Sequence, residues 1–334
     1  MGGNAFKSYI QSKDPENVLK RLHVTDYPSV LYAVKCMLEA NGLKYRCIDS
    51  VREKESHGDL DILVELENNN TITETLLHLR SQNIIALRNG PVISFLLGTF
   101  QIDLIFVQNQ YIEYTQNYLS WNDLGNLIGR LSKGVFKVKH GMYGLTYEVR
   151  PLDQQDNLLG EVELSTNYLD VLNLLELDVK QFNKGFDTYI QMFDWLTSSP
   201  YFYTGLYKFE NLNNVNRVRD KKRKVYNMFL EYIDSRPDLS KDSLKLPYDH
   251  FDHLKTVFPF LEDKVNILRE EFRISQAVKQ KFNGRVVQEI TKLETKELGL
   301  FMKALKEKYE TKTLYSLTPS QINQLVLDEF SLFN

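Results

Sequence analysis

The rhythm of apolar and polar positions assigns most of the elements of this chain. From Tyr27 to Ala40 apolar residues recur at helical spacing, with Pro28 in the first turn and Asn41-Gly42 as the stop. Leu43 to Ile48 reads as a short strand, Asp49 to Gly58 as a polar loop or short helix, and Asp59 to Leu66 as a second strand. Asn68 to Asn70 forms a turn before a helix over Thr71 to Arg80. Ile84 to Leu87, Val92 to Leu97 and Phe100 to Val107 are strands, the last two joined through Gly98. A helix is expected over Gln116 to Leu131, and a strand pair, Val135 to Val138 with Leu145 to Val149, around the turn at His140 to Gly144. From Tyr168 onward the spacing is helical, as in Tyr168 to Leu177, Val179 to Leu196 and Val215 to Ile233, with Pro237, Pro247 and Pro259 as punctuation. The pattern predicts an α+β first domain over residues 1–160 and a mostly α-helical second domain over 161–334, with the boundary between 152 and 165.

Composition narrows the class. A chain of 334 residues that is 43% hydrophobic can build two cores, and no apolar run reaches bilayer length, so no membrane partner is expected. The N-terminal stretch has no signal-peptide core, and Phe6 stands where a myristoylation signal needs Ser or Thr. Two cysteines, Cys36 and Cys47, are too few for a disulfide framework or a zinc site and point to a reducing compartment, hence the cytoplasm. A net charge of −3 excludes a uniformly basic protein. Positive charge is concentrated in NRVRDKKRKVY, where Arg217, Arg219, Lys221, Lys222, Arg223 and Lys224 are either a solvated helix start or contacts to a phosphate backbone.

Candidate chemistry sits in the acidic strand. Asp59 and Asp61 are two residues apart, so both carboxylates share one face of a sheet. Like charges so placed repel unless a cation lies between them, and a hard divalent ion with oxygen ligands is the usual partner. Asp103, inside the strand Thr99 to Val107, supplies a third carboxylate if its strand lies alongside. Three converging acids can hold two metal ions about 3.5–4 Å apart, the arrangement of in-line displacement at phosphorus. Alternatively, Asp59 and Asp61 line a solvated face and Asp103 is an edge residue. The six histidines show no ligand spacing, and Tyr201, Tyr203 and Tyr207 either stack bases or pack a helical core.

The stretch CIDSVREKESHGDLDILV resembles the nucleotide-binding signature of the nucleotidyltransferase superfamily typified by family X DNA polymerases. In that signature a Gly-Ser pair after a strand leads through a basic turn to Gly-Asp-x-Asp. The resemblance implies a palm-like mixed sheet. Ser50, Arg52 (with Lys54 as a second basic position) and Gly58 would cradle a triphosphate, and Asp59, Asp61 and Asp103 would bind Mg²⁺, or Mn²⁺ in its place. YLSWNDLGNLIGR is similar to the family's next segment, implying Tyr118, Asp123 and Asn126 near the nucleotide and Arg130 facing nucleic acid. LTYEVRPL is similar to the strand that closes the palm. The chain departs from the pattern at Asp49, which replaces the family glycine, at Leu119 and Trp121, and in a basic turn one residue shorter. Ala277 to Tyr309, with Gly284 and Leu293 to Gly299, resembles a helical segment of tRNA nucleotidyltransferases and bacterial poly(A) polymerases, and reads equally as an amphipathic helical hairpin.

The expected activity is transfer of a nucleoside monophosphate from an NTP or dNTP to a hydroxyl. The acceptor is expected to be the 3′ end of a nucleic acid, with RNA or tRNA preferred and no template. The alternatives are a family X-like DNA polymerase and a catalytically lapsed nucleotide-binding or interaction protein. No protein partner is readable.

Overall fold

The computed structural model describes residues 5–6, 19–68, 70–153, 157–239, 243–244, 246 and 249–333. The N-terminal readings at 1–4 and 7–18, the middle of the turn at 68–70, and Pro247 lie outside them. The class is α+β, as expected. The chain runs β1 (Leu22–His23), α1 (Tyr27–Ala40), β2 (Tyr45–Cys47), β3 (Ser56–His57), β4 (Asp59–Glu65), α2 (Thr71–Ser81), β5 (Ala86–Asn89), β6 (Val92–Leu97), β7 (Phe100–Val107), α3 (Asn109–Leu119), α4 (Leu124–Phe136), β8 (Val138–Gly141), β9 (Gly144–Val149) and β10 (Gly160–Ser165). Helices α5 (Tyr168–Leu174), α6 (Val179–Lys184), α7 (Tyr189–Thr197), α8 (Asn214–Asp220), α9 (Lys224–Asp234) and α10 (His250–Val257) follow.

The central sheet has the order β2-β4-β7-β6-β5. Only β4 and β7 pair in parallel, and their register sets Asp61 opposite Asp103. Both strands are covered on two faces, which is why their sequences read as nearly continuous apolar runs. Leu60, Ile62 and Val64 pack with Val34 and Leu38 of α1 and Leu79 of α2. Leu63, Ile105 and Val107 pack with Ile112 of α3 on the other face. Side-chain alternation puts Asp59, Asp61 and Asp103 on that second face, beyond its apolar part. Each fully buried aliphatic side chain contributes about 1.5–3 kcal/mol, so the apolar stretch of the face can offset crowding among the carboxylates.

Two expectations are corrected. The helix expected over Gln116 to Leu131 is two helices, with Trp121 (φ 63°) and Asn122 (φ 63°) left-handed between them. The break is required by contacts to the loop after β2, described below. The division expected near residue 160 is also displaced. Contacts group Met1–Tyr147 with Glu163–Val257 in one unit, and Glu148–Val162 with Phe258–Asn334 in another. The helices from α5 to α10 thus belong with the sheet, because their polar and aromatic side chains bond to α4 and to the loop after β2. The second unit contains α11 (Leu261–Lys281), α12 (Gly284–Thr291), α13 (Thr295–Lys308), α14 (Thr311–Ser316) and α15 (Pro319–Phe333), packed around Val287, Phe301 and Ile322. No described helix is long and apolar enough to cross a membrane.

Gly125 lets α4 begin against the end of α3, because a Cβ there would stand 2.2 Å from the Tyr118 carbonyl oxygen. Gly125→Ala is expected to cost about 1–3 kcal/mol, read as a lower urea midpoint at unchanged slope.

Candidate functional site

The parallel register brings the three carboxylates together. One oxygen each from Asp59, Asp61 and Asp103 lies within 4.8 Å of the others. Gln101, two residues before Asp103 on the same face, donates from Nε2 to both Asp103 oxygens at 2.9 Å. Ser94, opposite Asp103 on β6, adds a further hydrogen bond to that carboxylate. Burial raises Asp103 above the usual carboxylate range, against the pull of these donors. Asp61 is pushed up to about 7, first by burial and then by the charges of Asp59 and Asp103. The donor set is all oxygen and anionic, and its spacing fits a hard divalent cation.

Among the basic residues near the triad, Lys54 is the one that senses it most directly. Burial lowers its ammonium, while the negative charges of Asp59, Asp61 and Asp123 act to raise it. His57 is buried, stacks on Tyr27 with ring centroids 3.7 Å apart, and is lowered to about 4 by burial and by Lys54 and Arg21. It is a packed neutral side chain at the turn into β4.

The loop expected to cradle phosphates is a loop and not a helix, and most of its N–H groups are already engaged. Asp49 N–H donates to Ser120 Oγ at 3.2 Å, and Val51 N–H to Asn122 Oδ1 at 3.1 Å. Arg52, Glu53 and Lys54 N–H donate to the carbonyls of Phe186, Asp187 and Val51. Among the described residues, only the Ser50 N–H between Asp49 and Lys54 has no acceptor. The Arg52 guanidinium donates to Asp187 Oδ1 at 2.6 Å and to the Lys184 carbonyl at 2.7 Å, and lies 5.9 Å from the centre of the Trp121 ring. Arg52 therefore braces the loop against α6 and α7. Gly58 sits at the bend between β3 and β4.

The remaining expected contacts form a network of their own. Asp123 pairs with Arg223, and Asn126 Oδ1 accepts from Arg219 Nη2 at 2.8 Å. Arg130 pairs with Asp220, which is fully buried and also receives Arg219 Nε at 2.9 Å. Asp220 is the hub that sequence reasoning missed, since one acid inside a basic run reads as solvated. Asn126 Nδ2, Arg130 Nε and Arg223 Nε are buried without an acceptor, so the two carboxylates serve more donors than they can satisfy. Tyr118 is half-buried, edge-on to His140 at 4.9 Å. Lys221, Lys222 and Lys224 are exposed, and Arg217 bonds to Asn214 within its own helix. Tyr207 is fully buried and Tyr201 bonds to Glu176, so these tyrosines pack the helical region.

Compared with protein-family models the chain matches none, and no curated protein matches it.

Without a cation, Asp61→Asn is expected to be more stable than the wild type. Because Asp61 holds its proton up to about 7 in the folded state against 3.8 ordinarily, its contribution is intact below about 4 and lost as the pH rises to about 7. The advantage of Asp61→Asn should therefore grow across that window. His57, lowered to about 4, slopes in the opposite sense, so the difference between the two proteins is the quantity to measure. Mg²⁺ should raise the melting temperature of the wild type and not of the variant; a cation at 100 times its Kd stabilises by about 2.7 kcal/mol. For the network, Asp220→Ala should cost about 3–5 kcal/mol in urea unfolding because it strands buried guanidinium groups, whereas Lys222→Ala should change stability by less than about 0.5 kcal/mol.

Proposed function

We propose that this chain is a metal-dependent nucleotidyltransferase that moves a nucleoside monophosphate from an NTP or dNTP to a hydroxyl acceptor. The observation that carries this reading is the meeting of Asp59, Asp61 and Asp103 across two parallel strands. A divalent cation held there, Mg²⁺ or Mn²⁺, lowers the pKa of the acceptor hydroxyl and neutralises charge on the triphosphate. The acceptor oxygen bonds to the α-phosphorus, the α–β anhydride bond breaks, and pyrophosphate leaves. Asp103 is suited to orient or accept the acceptor's proton, since burial makes it more basic than a surface aspartate while Gln101 and Ser94 hold it still.

On the phosphate side, the positive charge is assigned to Lys54 in place of Arg52, whose guanidinium is engaged by Asp187 and Lys184. Ser50 contributes its free N–H and its hydroxyl. The favoured acceptor is an RNA 3′ end, extended without a template, with DNA synthesis as the alternative. Lys221, Lys222 and Lys224 are the exposed cations left for a nucleic-acid backbone, and Cys36 and Cys47, both free, fit a cytoplasmic location. A second reading, a catalytically lapsed nucleotide-binding or interaction protein, is favoured by one observation: the N–H groups of the loop are largely consumed, which leaves a weakened cradle.

Incubation with labelled NTPs or dNTPs, Mg²⁺ or Mn²⁺, and tRNA lacking its 3′ end, oligo(A), primer–template DNA or no acceptor tests the proposal. Incorporation is expected in the wild type and a loss of at least about 10³-fold in Asp59→Ala and Asp103→Ala, of the order that removal of one strong electrostatic group brings. Product that persists in both variants refutes the site, and binding of NTP without incorporation selects the second reading.

A further inference from the structure

A pocket beside the loop after β2 shares Ser50 and Lys54 with the phosphate side of the proposed site and extends away from it. Its apolar walls are Tyr27, Leu31, Val51 and Leu60, and its polar edge carries Asp49, Ser50, Arg52 and Lys54. Lys54 belongs to both regions, since its ammonium senses Asp59 and Asp61. A ligand whose phosphates lie on Lys54 can thus place its other end in this pocket.

Asp49 is the residue that departs from the resembled signature, where a glycine stands. Its backbone is held at both ends: its N–H donates to Ser120 Oγ at 3.2 Å, and its carbonyl accepts from Trp121 N–H at 2.8 Å. The clamp is built from strained backbone, because Trp121 and Asn122 are both left-handed at φ 63°, a region disfavoured for a residue as bulky as tryptophan. The Trp121 ring is locked in turn against Gly185, where a Cβ would come within 2.2 Å of it, and edge-on to Phe186 at 5.4 Å. All of this fixes the Asp49 backbone, while its exposed side chain feels the Arg52 charge and accepts no hydrogen bond among the described residues.

Two acceptor oxygens at the rim of an apolar pocket are best matched by two N–H donors side by side on a flat ring. Guanine offers N1–H and N2–H adjacent on one edge. Adenine and cytosine set an amino group beside a ring-nitrogen acceptor, and uracil sets one N–H between two carbonyls, so each would leave a carboxylate oxygen facing a lone pair. We propose that this pocket takes the base of the donor nucleotide and that Asp49 selects guanine through its N1–H and N2–H edge. The assignment rests on the nucleotidyl-transfer reading and adds the identity of the substrate to it.

The test is calorimetric titration of the full chain, with saturating Mg²⁺, by α,β-methylene analogues of GTP, ATP, CTP, UTP and ITP. The GTP analogue should bind at least about tenfold tighter than each of the others, equivalent to about 1.4 kcal/mol. Inosine keeps N1–H and lacks the N2 amino group, so the GTP-to-ITP ratio probes the paired contact without any mutation. Asp49→Asn and Asp49→Ala should collapse the preference while keeping the Mg²⁺-induced rise in melting temperature, which reports an intact triad. Equal affinities for all five analogues, or a preference that survives in both variants, overturns the base assignment and leaves the transfer reading standing if labelled nucleotide is still incorporated. Failure of every analogue to bind while Mg²⁺ still raises the melting temperature overturns both.

Discussion

Mutual repulsion among three half-buried carboxylates on one sheet face is the constraint around which this end of the molecule is organised. Asp59 and Asp61 share a face by the period of the strand, and the parallel register with β7 sets Asp103 beside Asp61. Burial intensifies the repulsion, and Asp61 answers by holding its proton up to about 7. Gln101 and Ser94 restrain Asp103, and Lys54 supplies a nearby opposite charge. Two apolar clusters, one under α1 and α2 and one under α3, keep the strands paired despite the charges. A fold under selection for stability alone would have no reason to gather these acids.

Much of this was legible because periodicity and punctuation agreed. Helix α1 runs from Tyr27 to Ala40 as read, since Pro28 and the Asn41-Gly42 stop frame an apolar stripe. β6 and β7 also match, with Gly98 at φ 62° between them. The shared face of Asp59 and Asp61 follows from spacing alone. That Asp103 is their neighbour does not, because nothing in a strand's own residues states which strand it will pair with.

What escaped reading escaped for physical reasons. The break at Trp121-Asn122 contains neither glycine nor proline, and its cause lies about seventy residues away, in Asp49 and Val51. Strand β10 carries its signal openly, in the alternation Glu161, Val162, Glu163, Leu164 with Val162 and Leu164 buried, although the expected elements do not include it. The run from Arg217 to Lys224 looked like a surface because charge density usually means solvent. Burial of Asp220 turns three of the arginines around it inward, one of them Arg130 from α4. The same pairing ties this run to α4, within the unit that also holds the sheet.

If the loop serves the transfer proposed above, it differs from the resembled signature in how positive charge would reach a phosphate. In the signature, backbone N–H groups and a guanidinium form a fixed cradle. Here those N–H groups hold the loop to Ser120, Asn122, Phe186 and Asp187, and Arg52 holds it to α6 and α7. The loop gains rigidity and gives up its anion nest. A lysine is a compact point charge on a flexible stem, without the guanidinium's fixed fork of donors, so Lys54 offers attraction with little orientation. Orientation must then come from elsewhere, and in that reading the loop supplies it through Asp49, whose backbone it holds, rather than through the phosphates. A site so arranged would read the far end of its ligand more strictly than the charged end.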